Sequence, residues 1–263
     1  MIKKVILVTG ASRGLGKNLA QALAKEGHIV YSGVRNIKKA PKNTIGIRLD
    51  LKCEKSLKRC VQQIIKTHHK IDMLINNAGI AYDCGVDCLK MTEIKELFEV
   101  NFFGAFRLTQ LVLPYMRQKR SGRILFISSI RGTENFAYMG AYSASKAALE
   151  AIAFDWAVTL SKWNITVSVV QPGPMATGIK IKNGHYYKKS QNPYLPYKPI
   201  KINWNSVEDV TQSILNHLKD KKAPFRFQPD EFSRKTISKH LVDPSGMKWV
   251  NIQKSLFNKN KDN

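Results

Sequence analysis

Tyr142 and Lys146 stand four residues apart in Tyr142-Ser143-Ala144-Ser145-Lys146, a spacing that puts both on one face of a helix. A phenol with an ordinary pKa of about 10 is a poor acid or base near neutrality, and a neighbouring ammonium stabilises its phenolate. A unit charge about 4 Å away at an effective dielectric near 20 is worth roughly 4 kcal/mol, or about three pKa units before solvent screening. The pair then becomes a proton donor for a carbonyl oxygen. Alone it carries no weight, because a tyrosine four residues before a lysine is common on helix surfaces.

A second group of residues is suited to holding a dinucleotide. Thr9-Gly10-Ala11-Ser12-Arg13-Gly14-Leu15-Gly16 follows a short apolar run and precedes a segment of helical period. Gly10 can turn the chain tightly, Gly14 lets the backbone approach a pyrophosphate, and Gly16 permits close packing, while the helix N-terminus offers free N–H groups and a positive dipole. About 20 residues beyond such glycines an acidic side chain ordinarily binds the ribose 2′-hydroxyl of NAD. Here the second strand ends Ser32-Gly33-Val34-Arg35-Asn36 without an acid. Arg35, Arg13 and Ser12 can instead bind a 2′-phosphate through charge-assisted hydrogen bonds, so NADP(H) is expected over NAD(H).

Regular elements must bring these two groups together. Strands are predicted over residues 4–9, 28–34, 45–49, 73–76, 123–128, 166–171 and 225–228, from short apolar runs rich in β-branched residues. Helices are predicted from Leu15 to Ala24 and over residues 54–67, 92–117, 141–162 and 207–218, with Gly27 as a stop for the first. Alternating β and α units imply an α/β fold of Rossmann type. This is a doubly wound parallel sheet in three α/β/α layers, a single domain over residues 1–263, with ligands beyond the carboxyl ends of the strands. Residues 174–204, rich in proline, lysine and aromatics including Tyr186, Tyr187, Tyr194, Tyr197 and Trp204, are expected to form a substrate loop or lid. Residues 230–263 are expected to form a partly helical extension with frayed last residues.

The glycine spacing T-G-x-x-x-G-x-G together with Tyr142 and Lys146 resembles the short-chain dehydrogenase/reductase family over about residues 3–178. The resemblance implies that Tyr142 is the proton donor, that Lys146 tunes its pKa and binds the nicotinamide ribose, and that Ser129 holds the substrate oxygen. Ser128, on the opposite face of its strand, ranks behind Ser129. Asn101 corresponds to the asparagine of a proton relay. Asn77, Ala78 and Gly79 correspond to the family motif after the fourth strand, and Asp50 with Leu51 to an adenine-contacting pair. Pro172, Gly173 and Thr177 match the segment that meets the nicotinamide. A homo-oligomer, dimer or tetramer, packed through the helices that begin at Thr92 and Ala141, follows from the same resemblance. The chain continues some 35 residues past Phe225-Arg226-Phe227-Gln228, and this tail is similar to hydroxysteroid (17-beta) and retinol dehydrogenase-like members.

Composition sets the outer limits. At 263 residues with 43% apolar and 9% aromatic residues, the chain can bury a large core, which excludes disorder and collagen-like repeats as overall descriptions. The four cysteines imply no disulfide framework, and Cys84 with Cys88, like His68 with His69, lacks the partners a metal needs, so no metal is expected. No signal peptide or apolar run of transmembrane length is found, and a cytoplasmic location is expected. The net charge of +24 points to polyanions, acidic substrates or anionic membranes without choosing among them. A solvated basic surface is favoured over a nucleic-acid site, which no motif supports, and over membrane contact through the tail carrying Trp249 and Phe257. Three functions fit: reduction of a hydrophobic ketone or aldehyde, reduction of an acyl thioester carried by an acidic protein, and non-catalytic binding of NADPH or nucleic acid.

Overall fold

Val5 to Val8 alternate between two separate apolar clusters, which is why the first strand reads as an unbroken apolar run. Val5 and Leu7 face one cluster and Ile6 and Val8 the other. The computed structural model describes residues 2–82, 84, 87–135, 138–175, 181–182, 184, 204–220, 222–248 and 250–251. In chain order the elements are β1 (Val5–Thr9), α1 (Gly14–Lys25), β2 (Ile29–Val34), β3 (Ile45–Arg48), α2 (Glu54–His68), β4 (Met73–Asn76), β5 (Ala81–Tyr82) and α3 (Met91–Phe98). They continue as α4 (Gly104–Lys119), β6 (Gly122–Ile127), α5 (Gly140–Thr159), β7 (Ile165–Val170), β8 (Ile181–Lys182), α6 (Val207–Lys219), β9 (Arg226–Phe227) and α7 (Glu231–Ser238).

Among the described residues the main sheet has seven strands, all parallel, in the order β3-β2-β1-β4-β6-β7-β9. The strand order reverses between β1 and β4, and the crevice beyond their carboxyl ends is where such sheets receive a ligand. On one face, Leu57 and Ile64 of α2, Leu108 and Val112 of α4, and Leu149 and Trp156 of α5 pack against Leu74, Ile124, Phe126 and Val169. On the other, Leu19 and Leu23 of α1 and Ile214 and Leu218 of α6 pack against Met73, Ile75 and Leu125. Helices therefore cover both faces, as the alternation of elements predicts.

Two expectations are corrected. The helix predicted over residues 92–117 is two helices, α3 and α4, joined by a π-turn at Glu99–Phe103. Gly104 closes that turn by donating its N–H to the Glu99 carbonyl, and it lies so close to Leu51 that an added Cβ would stand 2.6 Å from the Leu51 Cβ. The extra residue of the turn carries Asn101 inward, where it is 1% exposed. Residues 174–204 also contain regular pairing, since β8 pairs in parallel with β5 and Met175 bridges to Asn205. Most of that segment, including Thr177, lies outside the described residues.

Beyond β9, Asp230 caps α7 by accepting from the Ser233 N–H, and its other oxygen accepts from Gly173 N–H at 2.9 Å. The C-terminal extension is thus fastened directly to the segment that follows β7. No helix among the described residues is long and apolar enough to cross a membrane.

Candidate active site

A cavity of about 400 Å³ runs along the carboxyl ends of the strands. At one end are Gly10, Ser12, Arg13, Gly14, Leu15, Gly16 and Arg35, with Asp50 and Leu51 alongside; at the other are Ser129, Tyr142, Lys146, Pro172 and Gly173. Asn77, Ala78 and Gly79 line the stretch between them. Of the residues predicted from sequence, Asn101 is absent from this lining and Thr177 is not described.

The glycine turn fits a dinucleotide on steric grounds. Gly10 and Gly14 have φ of 66° and 54°, in the left-handed region that strains side chains. A Cβ on Gly16 would lie 2.3 Å from Asn77 Nδ2 and 2.7 Å from the Gly10 carbonyl oxygen. The N-terminus of α1 has no side-chain cap, so its first N–H groups face the cavity for an anion. Arg13 and Arg35, both exposed, supply positive charge at that end. Gly16→Ala is expected to cost about 1–3 kcal/mol through this overpacking, read as a lower urea midpoint; an unchanged midpoint would show that the turn can open freely.

The turn is held from behind by Thr9, the first residue of the glycine motif, to which the sequence reading gave no role of its own. Thr9 Oγ1 accepts from the N–H groups of Asn77 and Ala78 at 2.9 and 3.0 Å, and Asn77 Nδ2 donates to the Thr9 carbonyl at 2.9 Å. Asn77 therefore braces the cradle from β4 with its side chain. Asp50 likewise spends one carboxylate oxygen on the Lys52 N–H at 3.1 Å, closing the turn before α2.

At the other end, α5 begins at Gly140 and presents Tyr142 and Lys146 on one buried face, 9% and 4% exposed. Tyr142 packs with Ala81, Tyr82 and Leu97. Burial pushes its phenol above the ordinary tyrosine range, while a hydrogen bond from Ser129 and the charge of Arg131 act in the opposite direction. The Lys146 ammonium donates to the Ile127 carbonyl at 2.9 Å and stands 5.8 Å from the centre of the Tyr142 ring. Burial pulls its pKa down to about 8, with the Glu150 carboxylate opposing. Desolvation dominates both groups, and the guanidinium acting on the phenol belongs to Arg131, on the turn after β6.

Ser129 is half-buried at the end of β6 and accepts from the Arg131 N–H at 3.2 Å, while Ser128 turns away to bond Glu150 at 2.7 Å. Asn101 is held at both ends of its amide by Ile80, accepting from its N–H and donating to its carbonyl at 2.9 Å each, and it also donates to Ser145 Oγ at 3.0 Å. Its side chain fixes the strand end ahead of β5, with no direct bond to Lys146. No sequence signal marked Arg131. Glu150, four residues past Lys146 on the same face of α5, was visible as an acid among apolar neighbours and was passed over.

The doubly wound sheet, the glycine turn at its switch point, and a buried tyrosine, lysine and serine around one cavity define a dinucleotide-dependent oxidoreductase. The family model for short chain dehydrogenases matches residues 4–188, and the chain belongs to that family. The chain is 40% identical to a 3-ketodihydrosphingosine reductase from Bacteroides thetaiotaomicron over 68% of this chain and 66% of that one. It is 30% identical to retinol dehydrogenase 8 from Homo sapiens over 94% of this chain and 88% of the relative, a likeness that takes in part of the C-terminal extension. Among solved structures, a short-chain dehydrogenase from Streptomyces avermitilis superposes with a TM-score of 0.83 at 27% identity, covering 97% of this chain and 98% of that one.

Proposed function

We propose that this protein is an NADPH-dependent reductase of an apolar ketone or aldehyde. The observation that carries the proposal is the convergence of Ser129, Tyr142 and Lys146 at one end of a cavity whose other end holds an uncapped helix N-terminus beside Arg13 and Arg35. NADPH supplies the hydride when bound. Tyr142 donates the proton to the carbonyl oxygen as it becomes an alkoxide, and Ser129 hydrogen-bonds the same oxygen. Lys146, protonated, holds positive charge beside the site and would hydrogen-bond the nicotinamide ribose when the cofactor is bound. Asn101 keeps the Ile80 backbone in place behind them. The apolar lining from Ile80, Ala81, Val100 and Met139, and relatives named for retinol and 3-ketodihydrosphingosine, support a hydrophobic substrate.

NADPH consumption against long-chain and ring ketones, compared with short water-soluble ones, tests the proposal; no consumption with any carbonyl would sink it. NADPH is expected to bind at least about tenfold more tightly than NADH, the gap closing in Arg35→Ala, since charge-assisted bonds to a phosphate are worth about 1.5–3 kcal/mol. Equal affinities in the unmodified protein, measured by titration calorimetry, would remove the NADP assignment.

A second substrate class is favoured by a separate observation. The +24 net charge suits docking of an acidic carrier protein, and the chain is 31% identical over 76% of its length to the 3-oxoacyl-[acyl-carrier-protein] reductase MabA of Mycobacterium tuberculosis. Activity on carrier-bound thioesters that falls steeply with salt would select it.

A further inference from the structure

Glu150 is 3% exposed and stands on the helical face that carries Tyr142 and Lys146. Every side chain bonded to it donates. Ser128 Oγ reaches Oε1 at 2.7 Å, Gln171 Nε2 reaches both oxygens at 3.0 and 2.9 Å, and Arg226 Nε reaches Oε2 at 3.3 Å. Two of the three, Gln171 Nε2 and Arg226 Nε, can only donate and so favour the ionised carboxylate, acting against a burial that raises the carboxyl above its ordinary range. The three come from the ends of three strands: Ser128 follows β6, Gln171 follows β7, and Arg226 opens β9. The residues immediately beyond two of them are Ser129 and Pro172, and Ile130 N–H donates to the Pro172 carbonyl at 3.2 Å. Gly132 passes so close that a Cβ there would stand 2.3 Å from Glu150 Oε1. The carboxylate therefore lies directly beneath the turn that displays Ser129 and Arg131.

We propose that Glu150 is a positioning residue for the reaction, a buried anion that ties the β6 and β7 ends under the substrate oxygen and acts as counter-charge to Lys146 one helical turn away. The inference rests on the function proposed above and deepens it, since nothing in that mechanism requires an acid at this point. Among the described residues the groups around Lys146 are Tyr142 and Glu150 on its own helix, the Ile127 carbonyl of β6, and Asn101 across Gly79. Arg131 on the following turn is paired with Glu134 at 3.0 Å, and Arg226 faces Glu150 from β9. Glu150 is thus the anion that supports the Lys146 charge against burial.

The test reads the titration of Lys146 directly, by NMR of labelled lysine in the cofactor-free protein, with Lys146→Met identifying the signal. Glu150→Gln keeps the shape and removes the charge, and should move the midpoint down from about 8 by about one pH unit. Arg226→Gln removes the opposing cation and should move it up. In turnover, the high-pH limb of kcat should follow each midpoint, while NADPH affinity stays within about twofold. A midpoint unmoved in Glu150→Gln, or moved the same way in both variants, overturns the proposal by leaving only a packing role. If Glu150→Gln does not fold, Arg226→Gln decides alone, an unmoved midpoint being the negative result. Lack of turnover in the unmodified protein strikes at the proposed function, whereas the midpoints judge Glu150 independently.

Discussion

Tyr142→Phe is expected to lose turnover by about 10²–10⁴-fold, the range general acid catalysis contributes, while keeping the unmodified protein's affinity for the nicotinamide cofactor. The substitution removes one hydroxyl from a ring packed against Ala81, Tyr82 and Leu97, so shape and core contacts persist. It also removes a group whose ionisation burial opposes, and leaves Ser129 with its backbone partner at Arg131. The fold should hold, with a thermal midpoint within a few degrees of the original. The decisive measurement is single-turnover NADPH oxidation beside a binding titration. Substantial residual turnover with intact binding would move the acid to another residue, and loss of binding would mean the hydroxyl itself supports the cofactor.

Lys146→Met is expected to separate activity from stability. Turnover should fall by about 10²-fold or more, because the site loses the charge that favours a phenolate. Stability of the cofactor-free protein should rise. The lysine pKa is near 8 when folded and about 10.5 when unfolded, so below about 8 both states hold the proton and the folded state bears the cost of a buried charge. Between those values the unfolded state binds more protons, and the stability of the unmodified protein increases with pH. The advantage of Lys146→Met should therefore be largest at pH 7, up to about 3 kcal/mol, and fade as pH approaches 10.5. Urea midpoints at the two pH values check this. A variant less stable than the original at pH 7 would show that the bond to Ile127 outweighs desolvation.

The same pKa sets the sign of the catalytic pH dependence. Carbonyl reduction needs Tyr142 and Lys146 protonated, so the rate should decline as pH rises through about 8. Alcohol oxidation should gain over that range.

Much of the architecture was legible in the chain. Strands buried on both faces must be apolar throughout, so the boundaries of β1, β4 and β6 lay within a residue of those predicted. The α1 turn announced itself through glycines at left-handed angles, which strain most other residues. The i, i+4 spacing of Tyr142 and Lys146 is a property of helix geometry alone, and the side chains met on one face as it required.

What required the tertiary structure were the features that depend on residues distant in sequence. The π-turn at Glu99–Phe103 follows no period, since it arises where Gly104 must pack against Leu51. The partner of the Lys146 ammonium is a backbone carbonyl 19 residues away, and Arg131 adds a further cation near Tyr142. Both phenol and ammonium are governed by burial, a quantity no spacing reports. The sequence thus determined which residues could share a site. The packing of α5 over the ends of β6 and β7 decided their charges, because desolvation is a property of the closed surface and not of the segment that carries the side chain.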